Sequence, residues 1–193
     1  MSQGKVVQII GAVVDVEFQQ DAVPAVYDAI KVTSGGLEGL TLEVQQQLGG
    51  GVVRAIALGT TDGLARGAEV ENTGKGIEVP VGTATLGRIM NVLGEPIDDR
   101  GNLGTKRQVT LEAVPINPMK RSRIQSPLDV GINCINSLLC VGKGQRLGLF
   151  AGSGVGKSVL LGMMTKATTA DVIVVGLIGE RGREVKEFIE HSL

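Results

Sequence analysis

Short runs of alternating apolar and polar residues fill the first 80 positions of the chain. The run Val14-Asp15-Val16-Glu17-Phe18 places apolar side chains on one face and carboxylates on the other, as in a half-buried β-strand. Glycine-containing turn signals at 34–36, 49–51, 62–63 and 73–74 are predicted to close hairpins. This spacing predicts an all-β barrel or sandwich. Its strands are predicted at 5–18, 27–32, 41–47, 51–57, 68–70 and 77–79.

The pattern changes in the second half of the chain. Residues 82–117 form a proline-containing connecting stretch, after which 130–139 have helical spacing with Asp129 as a predicted N-cap. An apolar strand is predicted at 145–150. A helix at 159–166 and a β-branched strand at 172–178, typical of a strand buried on both faces, follow it. A strand, a helix and a second strand in this order predict an α/β domain with a mainly parallel sheet.

We therefore expect three regions along the chain. Residues 1–81 form a β-barrel assembly domain, residues 82–117 form the connecting segment, and residues 118–193 form a partial α/β domain.

A glycine-rich segment lies between the predicted strand at 145–150 and the following helix. Its residues are Ala151-Gly152-Ser153-Gly154-Val155-Gly156-Lys157-Ser158. The spacing fits a phosphate-binding loop (P-loop) ending in Gly-Lys-Ser, although Ala151 stands where the usual pattern has glycine. Glycines allow backbone N–H groups to converge on phosphate, and the helix N-terminus adds a positive dipole.

We assign a role to each residue of this loop. Lys157 is expected to reach the β- and γ-phosphates, and the Ser158 hydroxyl is expected to ligate Mg²⁺. The predicted nucleotide contacts are Gly152, Ser153, Gly154, Val155, Gly156, Lys157, Ser158 and Val159. The competing interpretation is a glycine-rich turn followed by Lys-Ser without function.

Two carboxylates and two guanidiniums follow the predicted strand at 172–178, in the segment Glu180-Arg181-Gly182-Arg183-Glu184. Ligands of open parallel sheets bind beyond the carboxyl ends of the strands. A carboxylate there can orient the attacking water, and an arginine can contact phosphate. An ordinary helix start with acidic residues in its first turn explains the same pattern equally well.

Composition excludes several classes of function. The 193 residues carry a net charge of −1 with both signs mixed along the sequence, so we expect no nucleic-acid partner. No apolar run reaches the roughly 18 residues of a membrane span, and the first residues do not form a signal peptide. We expect a cytoplasmic chain, with Cys134 and Cys140 as core thiols and His191 on the surface.

Two resemblances cover nearly the whole chain. Residues 111–193 closely resemble the flagellar and type III secretion export ATPases, through the loop at 151–158 and Gly-Leu-Ile-Gly-Glu-Arg-Gly-Arg-Glu at 176–184. Residues 4–98 resemble the catalytic beta subunit of the rotary ATP synthase, through Gly-Lys-Val-Val-Gln-Ile-Ile at 4–10 and Ala-Thr-Leu-Gly-Arg-Ile-Met-Asn-Val-Leu-Gly-Glu-Pro-Ile-Asp at 84–98. The chain thus resembles a hybrid of the two families. We expect either an engineered or computationally generated fusion or a lineage intermediate between them.

The resemblance implies a barrel followed by a truncated RecA-like P-loop domain that uses ATP or ADP with Mg²⁺. It implies that Lys157, Glu180 and Arg181 are catalytic, with Glu180 positioning the hydrolytic water. It also implies that Ser158 ligates Mg²⁺ and that Glu184 supports the metal's ligand shell. It also implies a hexameric ring, cytoplasmic and peripheral to the inner face of the membrane. The adenine pocket, the Mg²⁺-holding aspartate and the arginine finger of both families are not visible in this sequence, so we expect little or no turnover from these 193 residues.

Three functions remain open. The first is a synthase-type catalytic subunit with alpha-type partners and a rotor stalk, which couples ATP hydrolysis or synthesis to proton transport. The second is a homohexameric export ATPase that acts with an export gate and cargo. The third is a non-catalytic nucleotide-binding or assembly fragment.

Overall fold

The computed structural model describes residues 2–112, 114–152 and 154–192. The chain divides into two compact units, the first ending at Pro115 and the second beginning at Ile116. All strands of the described residues lie in the first unit, and all α-helices lie in the second. None of these helices is both long and apolar enough to cross a membrane.

Six antiparallel strands of the first unit form a closed barrel, which confirms the barrel predicted from the alternating pattern. The strand order is β1-β2-β5-β4-β3-β6, and a ladder between β6 and β1 closes the barrel. The predicted run at 5–18 is a hairpin, because the chain turns at Gly11 with a φ of 58°. The strands are β1 (Gln3–Ile10), β2 (Val13–Phe18), β3 (Asp28–Val32), β4 (Thr41–Gly49), β5 (Val52–Ala57) and β6 (Glu69–Gly76).

The inward face of every barrel strand supplies the core of the first unit. Alternate residues are buried while their neighbours face water, as the period of two requires. Aliphatic side chains dominate this core, and β-branched valines fit the pleated surface of a sheet. The fully buried residues include Val14, Val16, Ile30, Leu42, Val44, Val53 and Val70.

Two of the four predicted hairpin turns are wrong. The signal at 62–63 lies between β5 and β6, which are not neighbours in the barrel. The signal at 73–74 lies within β6, where the register jumps from Ile30 opposite Asn72 to Asp28 opposite Gly76. The Thr73 hydroxyl donates to the Ala29 carbonyl at 2.7 Å, so the extra residues form an irregularity in the ladder instead of a turn.

A mostly buried ion pair organises the segment that follows the barrel. Arg88 donates through Nε to Asp98 Oδ2 at 2.6 Å and through Nη2 to Asp98 Oδ1 at 2.8 Å. The two side chains are 11% and 5% exposed. The Ile89 and Arg100 backbone N–H groups also donate to this carboxylate. These bonds hold together a loop that β7 (Glu78–Pro80) and β8 (Gln108–Thr110) close at its base.

The hydrogen bonds from Arg88 hold the pKa of Asp98 well below the ordinary carboxyl value of 3.8. On acidification the unfolded carboxylate takes its proton first, so the stability that this group contributes is present above that value and is lost as pH falls further. We predict that the wild-type chain loses stability steeply between about pH 5 and about pH 2. Urea unfolding at a series of pH values measures the loss.

Asp98→Asn should be less stable at neutral pH but should lose less on acidification, because its amide does not titrate in this range. Asp99→Asn is the matched control, since Asp99 is exposed in the left-handed region that asparagine also tolerates. An Asp98→Asn chain with the wild-type pH dependence would contradict this assignment.

The second unit contains α1 (Asn133–Leu138), α2 (Lys157–Ala167) and α3 (Gly182–Ser192). The prediction of Asp129 as a helix N-cap is wrong, because α1 begins after Ile132, which provides no side-chain cap. The Asp129 carboxylate instead accepts from the Gly131 N–H at 2.7 Å and from Asn136 Nδ2 at 2.6 Å. These two bonds lower the pKa of Asp129 from its ordinary value.

The strands predicted at 145–150 and 172–178 are absent from the described structure. Phe150 is exposed, and Val174 and Ile178 are 90% and 91% exposed. All ladders between described strands are antiparallel, so no parallel sheet is present in this part of the chain. The residue types of both runs have high β-propensity, but a strand also requires a ladder with a neighbouring strand, and no ladder between described residues includes either run.

A small apolar cluster forms the core of the second unit. Val130, Ile132, Ile135 and Val141 are buried, and residues of α2 pack against them. Cys134 and Cys140 are both exposed, which makes their prediction as core thiols wrong. Ile135 takes the inward position next to Cys134, and Cys140 follows α1 with a left-handed φ of 48°.

Candidate phosphate-binding site

The predicted P-loop leads directly into α2. Gly154 and Gly156 have φ angles of 78° and 95°, and Gly156 is the N-cap of the helix. Such angles are strained for a residue with a Cβ, so the conformation explains the glycines. A Cβ at either position would meet no atom within 4 Å, which shows that the loop backbone borders open space. Ser153 lies outside the described residues.

The first turn of α2 offers several unpaired hydrogen-bond donors. The first helical bond runs from the Leu160 N–H to the Gly156 carbonyl at 2.9 Å. The N–H groups of Lys157, Ser158 and Val159 make no hydrogen bond to a described residue. Donors of a helix N-terminus converge and the helix dipole is positive there, so the three groups have the arrangement that an anion requires.

The side chains of the loop also suit phosphate and Mg²⁺. Lys157 and Ser158 are exposed, and Lys157 has no ion-pair partner among the described acidic residues. No group of three or more His, Cys, Asp and Glu residues in the described ranges could hold a metal ion alone. Mg²⁺ bound with a nucleotide needs few protein ligands, because phosphates and water fill most positions. The loop therefore fits a magnesium nucleotide.

The last turn of α2 is fixed to the segment before α1. The Thr168 hydroxyl and the Thr169 N–H donate to the Asp129 carbonyl at 2.9 and 3.1 Å. A Cβ at Gly131 would lie 2.2 Å from the Ala167 Cβ, so only glycine allows this approach. Sequence reasoning missed this contact, although Asp129-Val130-Gly131 is an Asp-x-Gly turn signal that could have pointed to it.

The predicted catalytic and metal-shell residues lie at the start of α3. Glu180 is exposed and follows Gly179, which has a φ of 70°. Arg181 Nη1 lies 3.6 Å from Glu184 Oε1, and the Val185 N–H donates to the Arg181 carbonyl at 3.0 Å. These contacts are those of an ordinary helix start, with the acidic Glu184 in the first turn.

The structure brings α2 and α3 together but does not join their predicted site residues. The helices pack against each other, and the Lys166 ammonium donates to the His191 carbonyl at their last turns. Among the described residues, no hydrogen bond or ion pair links Lys157 or Ser158 to the segment 180–184. The loop thus presents unpaired donors at the start of α2, and phosphate binding by the loop and the catalytic role of the second segment both stay predictions.

Two family models match the chain in the order of its two units. Residues 6–74 match the ATP synthase alpha/beta family, beta-barrel domain. Residues 131–193 match the ATP synthase alpha/beta family, nucleotide-binding domain. The match confirms the predicted fold class of a barrel followed by a truncated nucleotide-binding domain.

A solved structure is similar over nearly the entire chain. It is described as the structure of the assembled ATPase EscN from the enteropathogenic E. coli (EPEC) type III secretion system. The sequences are 34% identical, the TM-score is 0.82, and the match covers 97% of this chain and 44% of that chain. This chain therefore spans less than half the length of that protein. Since barrel, P-loop and both family models agree, the chain belongs to the ATP synthase alpha/beta family, within the superfamily of rotary and export ATPases.

Proposed function

We propose that the chain binds ATP or ADP with Mg²⁺ as a P-loop ATPase subunit of the export type. The observation that carries nucleotide binding is the set of unpaired N–H groups at Lys157, Ser158 and Val159 beside two left-handed glycines. The export type is favoured by the similarity to EscN, which extends through both units at 34% identity.

Different groups of the loop bind the phosphates and the Mg²⁺ of the nucleotide. Backbone N–H groups from Gly152 to Val159 hold the phosphate oxygens, and the Lys157 ammonium neutralises charge at the terminal phosphates. The Ser158 hydroxyl ligates Mg²⁺, which stabilises negative charge on the phosphates when bound. The loop reads phosphates and not the base, so adenine selectivity rests on the family relationship.

In the same proposal, Glu180 orients the water that attacks the terminal phosphate. Glu180 is exposed and two residues ahead of α3, so its carboxylate is free to turn toward a bound nucleotide. Arg181 contacts phosphate and Glu184 supports the water shell of Mg²⁺ once their mutual ion pair at 3.6 Å opens. An exposed pair of this kind holds its partners weakly.

The second candidate is a synthase-type catalytic subunit, which the resemblance of residues 4–98 to the ATP synthase beta subunit favours. In both cases the barrel serves assembly of a ring, and the solved relative is an assembled ATPase. Co-purification separates the two functions. Alpha-type subunits and a proton-translocating sector indicate a synthase, whereas an export gate and cargo chaperones indicate the export machine.

Glu180→Gln tests the catalytic assignment. We expect unchanged Mg-nucleotide affinity and hydrolysis slowed by about 10² to 10⁴, because the amide cannot activate water. Single-turnover hydrolysis with the protein in excess measures this even where turnover is low. Glu187→Gln is the matched control, since Glu187 is an exposed glutamate of α3 without an ion pair to a described residue.

Measurable hydrolysis at the same rate by wild type and Glu180→Gln would refute the role of Glu180. Tight binding of Mg-ATP with no hydrolysis in the wild-type chain would identify the third function, a nucleotide-binding fragment without turnover.

A further inference from the structure

Residues 126–131, which we call the anchor segment, contact the chain on both sides of the P-loop. On the side that precedes the loop, the Leu128 N–H donates to the Val141 carbonyl at 2.7 Å. The Lys143 N–H donates to the Ser126 carbonyl at 2.9 Å. These two bonds form one antiparallel bridge, so the chain that leads toward the loop is fixed to the anchor segment.

On the other side of the loop, the anchor segment holds α2. The Asp129 carbonyl accepts from the Thr168 hydroxyl at 2.9 Å and from the Thr169 N–H at 3.1 Å. Leu160 and Met164 of α2 pack against the apolar cluster that the anchor segment shares with α1. A helix of 11 residues is a rod about 16 Å long. A tilt of its last turn therefore also turns the N–H groups of its first turn.

Two side chains fix the shape of the anchor segment. The Asp129 carboxylate accepts from the Gly131 N–H at 2.7 Å and from Asn136 Nδ2 at 2.6 Å. These bonds are charge-assisted and therefore stronger than neutral ones. The Asn136 amide oxygen accepts from the Val130 N–H at 3.1 Å. Asn136 thus both donates to the anchor segment and accepts from it, whereas an ionised carboxylate at this position could only accept.

We propose that Asp129 and Asn136 are positioning residues for nucleotide binding. Their side chains hold the anchor segment in one conformation, and the anchor segment sets the direction of α2 relative to the chain that leads toward the P-loop. Hydrogen bonds weaken steeply when they bend, so the direction of α2 sets how well its first N–H groups reach phosphate. The inference rests on the proposed function, because it assigns both residues to the support of that site.

Asn136→Asp breaks the bond between the two side chains and keeps its neighbour. The new carboxylate still accepts from the Val130 N–H, but it cannot donate to Asp129, and the two carboxylates repel each other. We expect the affinity for Mg-ADP to fall by about 3- to 10-fold, the contribution of a single hydrogen bond. Asn133→Asp is the matched control, since it makes the same change at the exposed first residue of α1. It should bind like the wild type.

Exchange of the two residue types tests the bond itself. In Asp129→Asn/Asn136→Asp, the amide at 129 donates to the carboxylate at 136, so the hydrogen bond is rebuilt with its polarity reversed. The amide oxygen at 129 still accepts from the Gly131 N–H. We expect this double variant to bind Mg-ADP within about twofold of the wild type. A double variant as weak as Asn136→Asp would overturn the proposal.

Isothermal titration with Mg-ADP and with inorganic triphosphate measures these affinities. It is performed at a temperature at which circular dichroism shows that every variant is fully folded. A merely structural role would lower the melting temperature of Asn136→Asp and leave the affinity of the folded protein unchanged. That result would overturn the proposal.

The amide resonances of Gly154 and Gly156 provide a second measurement that needs no nucleotide. In two-dimensional NMR spectra of the nucleotide-free chain, they should shift in Asn136→Asp, return in the double variant and stay in place in Asn133→Asp. A wild-type chain that binds neither Mg-ADP nor triphosphate would overturn the proposed function and this inference together. Unchanged resonances or affinities, with a wild type that binds, would overturn this inference alone.

Discussion

Lys157→Ala is expected to weaken Mg-nucleotide binding by the chain by about 10- to 150-fold. Lys157 is the exposed first residue of α2, and its ammonium has no ion-pair partner among the described acidic residues. Charge-assisted hydrogen bonds contribute about 1.5–3 kcal/mol each. The loss of one such bond to phosphate weakens binding by about 10- to 150-fold. Isothermal titration with Mg-ATP, Mg-ADP and inorganic triphosphate measures the change.

Alanine is a good helix former, so the Lys157→Ala chain should keep α2 intact. Lys186→Ala provides the control, since Lys186 is an exposed lysine of α3 whose pair with Glu190 is 3.7 Å long. The control should bind like the wild type. Inorganic triphosphate should lose affinity in parallel with ATP, because the loop contacts phosphate. Undiminished ATP binding by Lys157→Ala would show that nucleotide binds elsewhere or through the backbone alone.

Gly131→Ala is expected to destabilise the second unit by about 2–5 kcal/mol. Gly131 has a φ of 74°, and a Cβ there would lie 2.2 Å from the Ala167 Cβ and 2.6 Å from the Ala167 carbonyl oxygen. The left-handed backbone costs alanine about 1–2 kcal/mol. Forcing apart a packed contact adds about 1–3 kcal/mol. Urea unfolding followed by the helical circular dichroism signal measures the effect, since all described α-helices lie in this unit.

Gly144→Ala separates the cost of the left-handed backbone from the cost of the close contact with Ala167. Gly144 has a φ of 92°, but a Cβ there would meet nothing within 4 Å. It should therefore cost only the backbone term of about 1–2 kcal/mol. Equal destabilisation by both substitutions would mean that the segment before α1 moves away from α2 without cost. Because Gly131 and Ala167 fix the last turn of α2, the Gly131 variant should also bind nucleotide less tightly.

The barrel could be predicted from sequence because its signal is local. Alternation of buried and exposed residues, as in Val14 to Phe18, is dictated by the pleat of each strand and needs no knowledge of the partner. The order of the strands in the barrel depends instead on pairing between segments far apart in the sequence. The turn signals at 62–63 and 73–74 therefore predict hairpins that the barrel does not contain, because it pairs β6 with β1 and β3.

The backbone geometry of the glycine-rich loop at 151–158 was predictable for a similar reason. The left-handed φ angles at Gly154 and Gly156 favour glycine, so the residue types indicate the backbone conformation of the loop. The strands at 145–150 and 172–178 were not predictable in this way, since propensity does not supply a ladder partner. The Asp129 contacts were missed because its carboxylate bonds to Gly131 and Asn136 instead of capping α1.

The closure of the barrel has a kinetic consequence. The ladder between β1 and β6 pairs Gln3 with Glu71, so the first barrel strand needs a partner from the last barrel strand. The hairpins β1–β2 and β4–β5 form from residues close in sequence. Bringing β1 and β6 together instead closes a long loop, whose entropy is lost before the contact stabilises the chain. During synthesis, the edge of β1 that pairs with β6 therefore stays unpaired until β6 has left the ribosome.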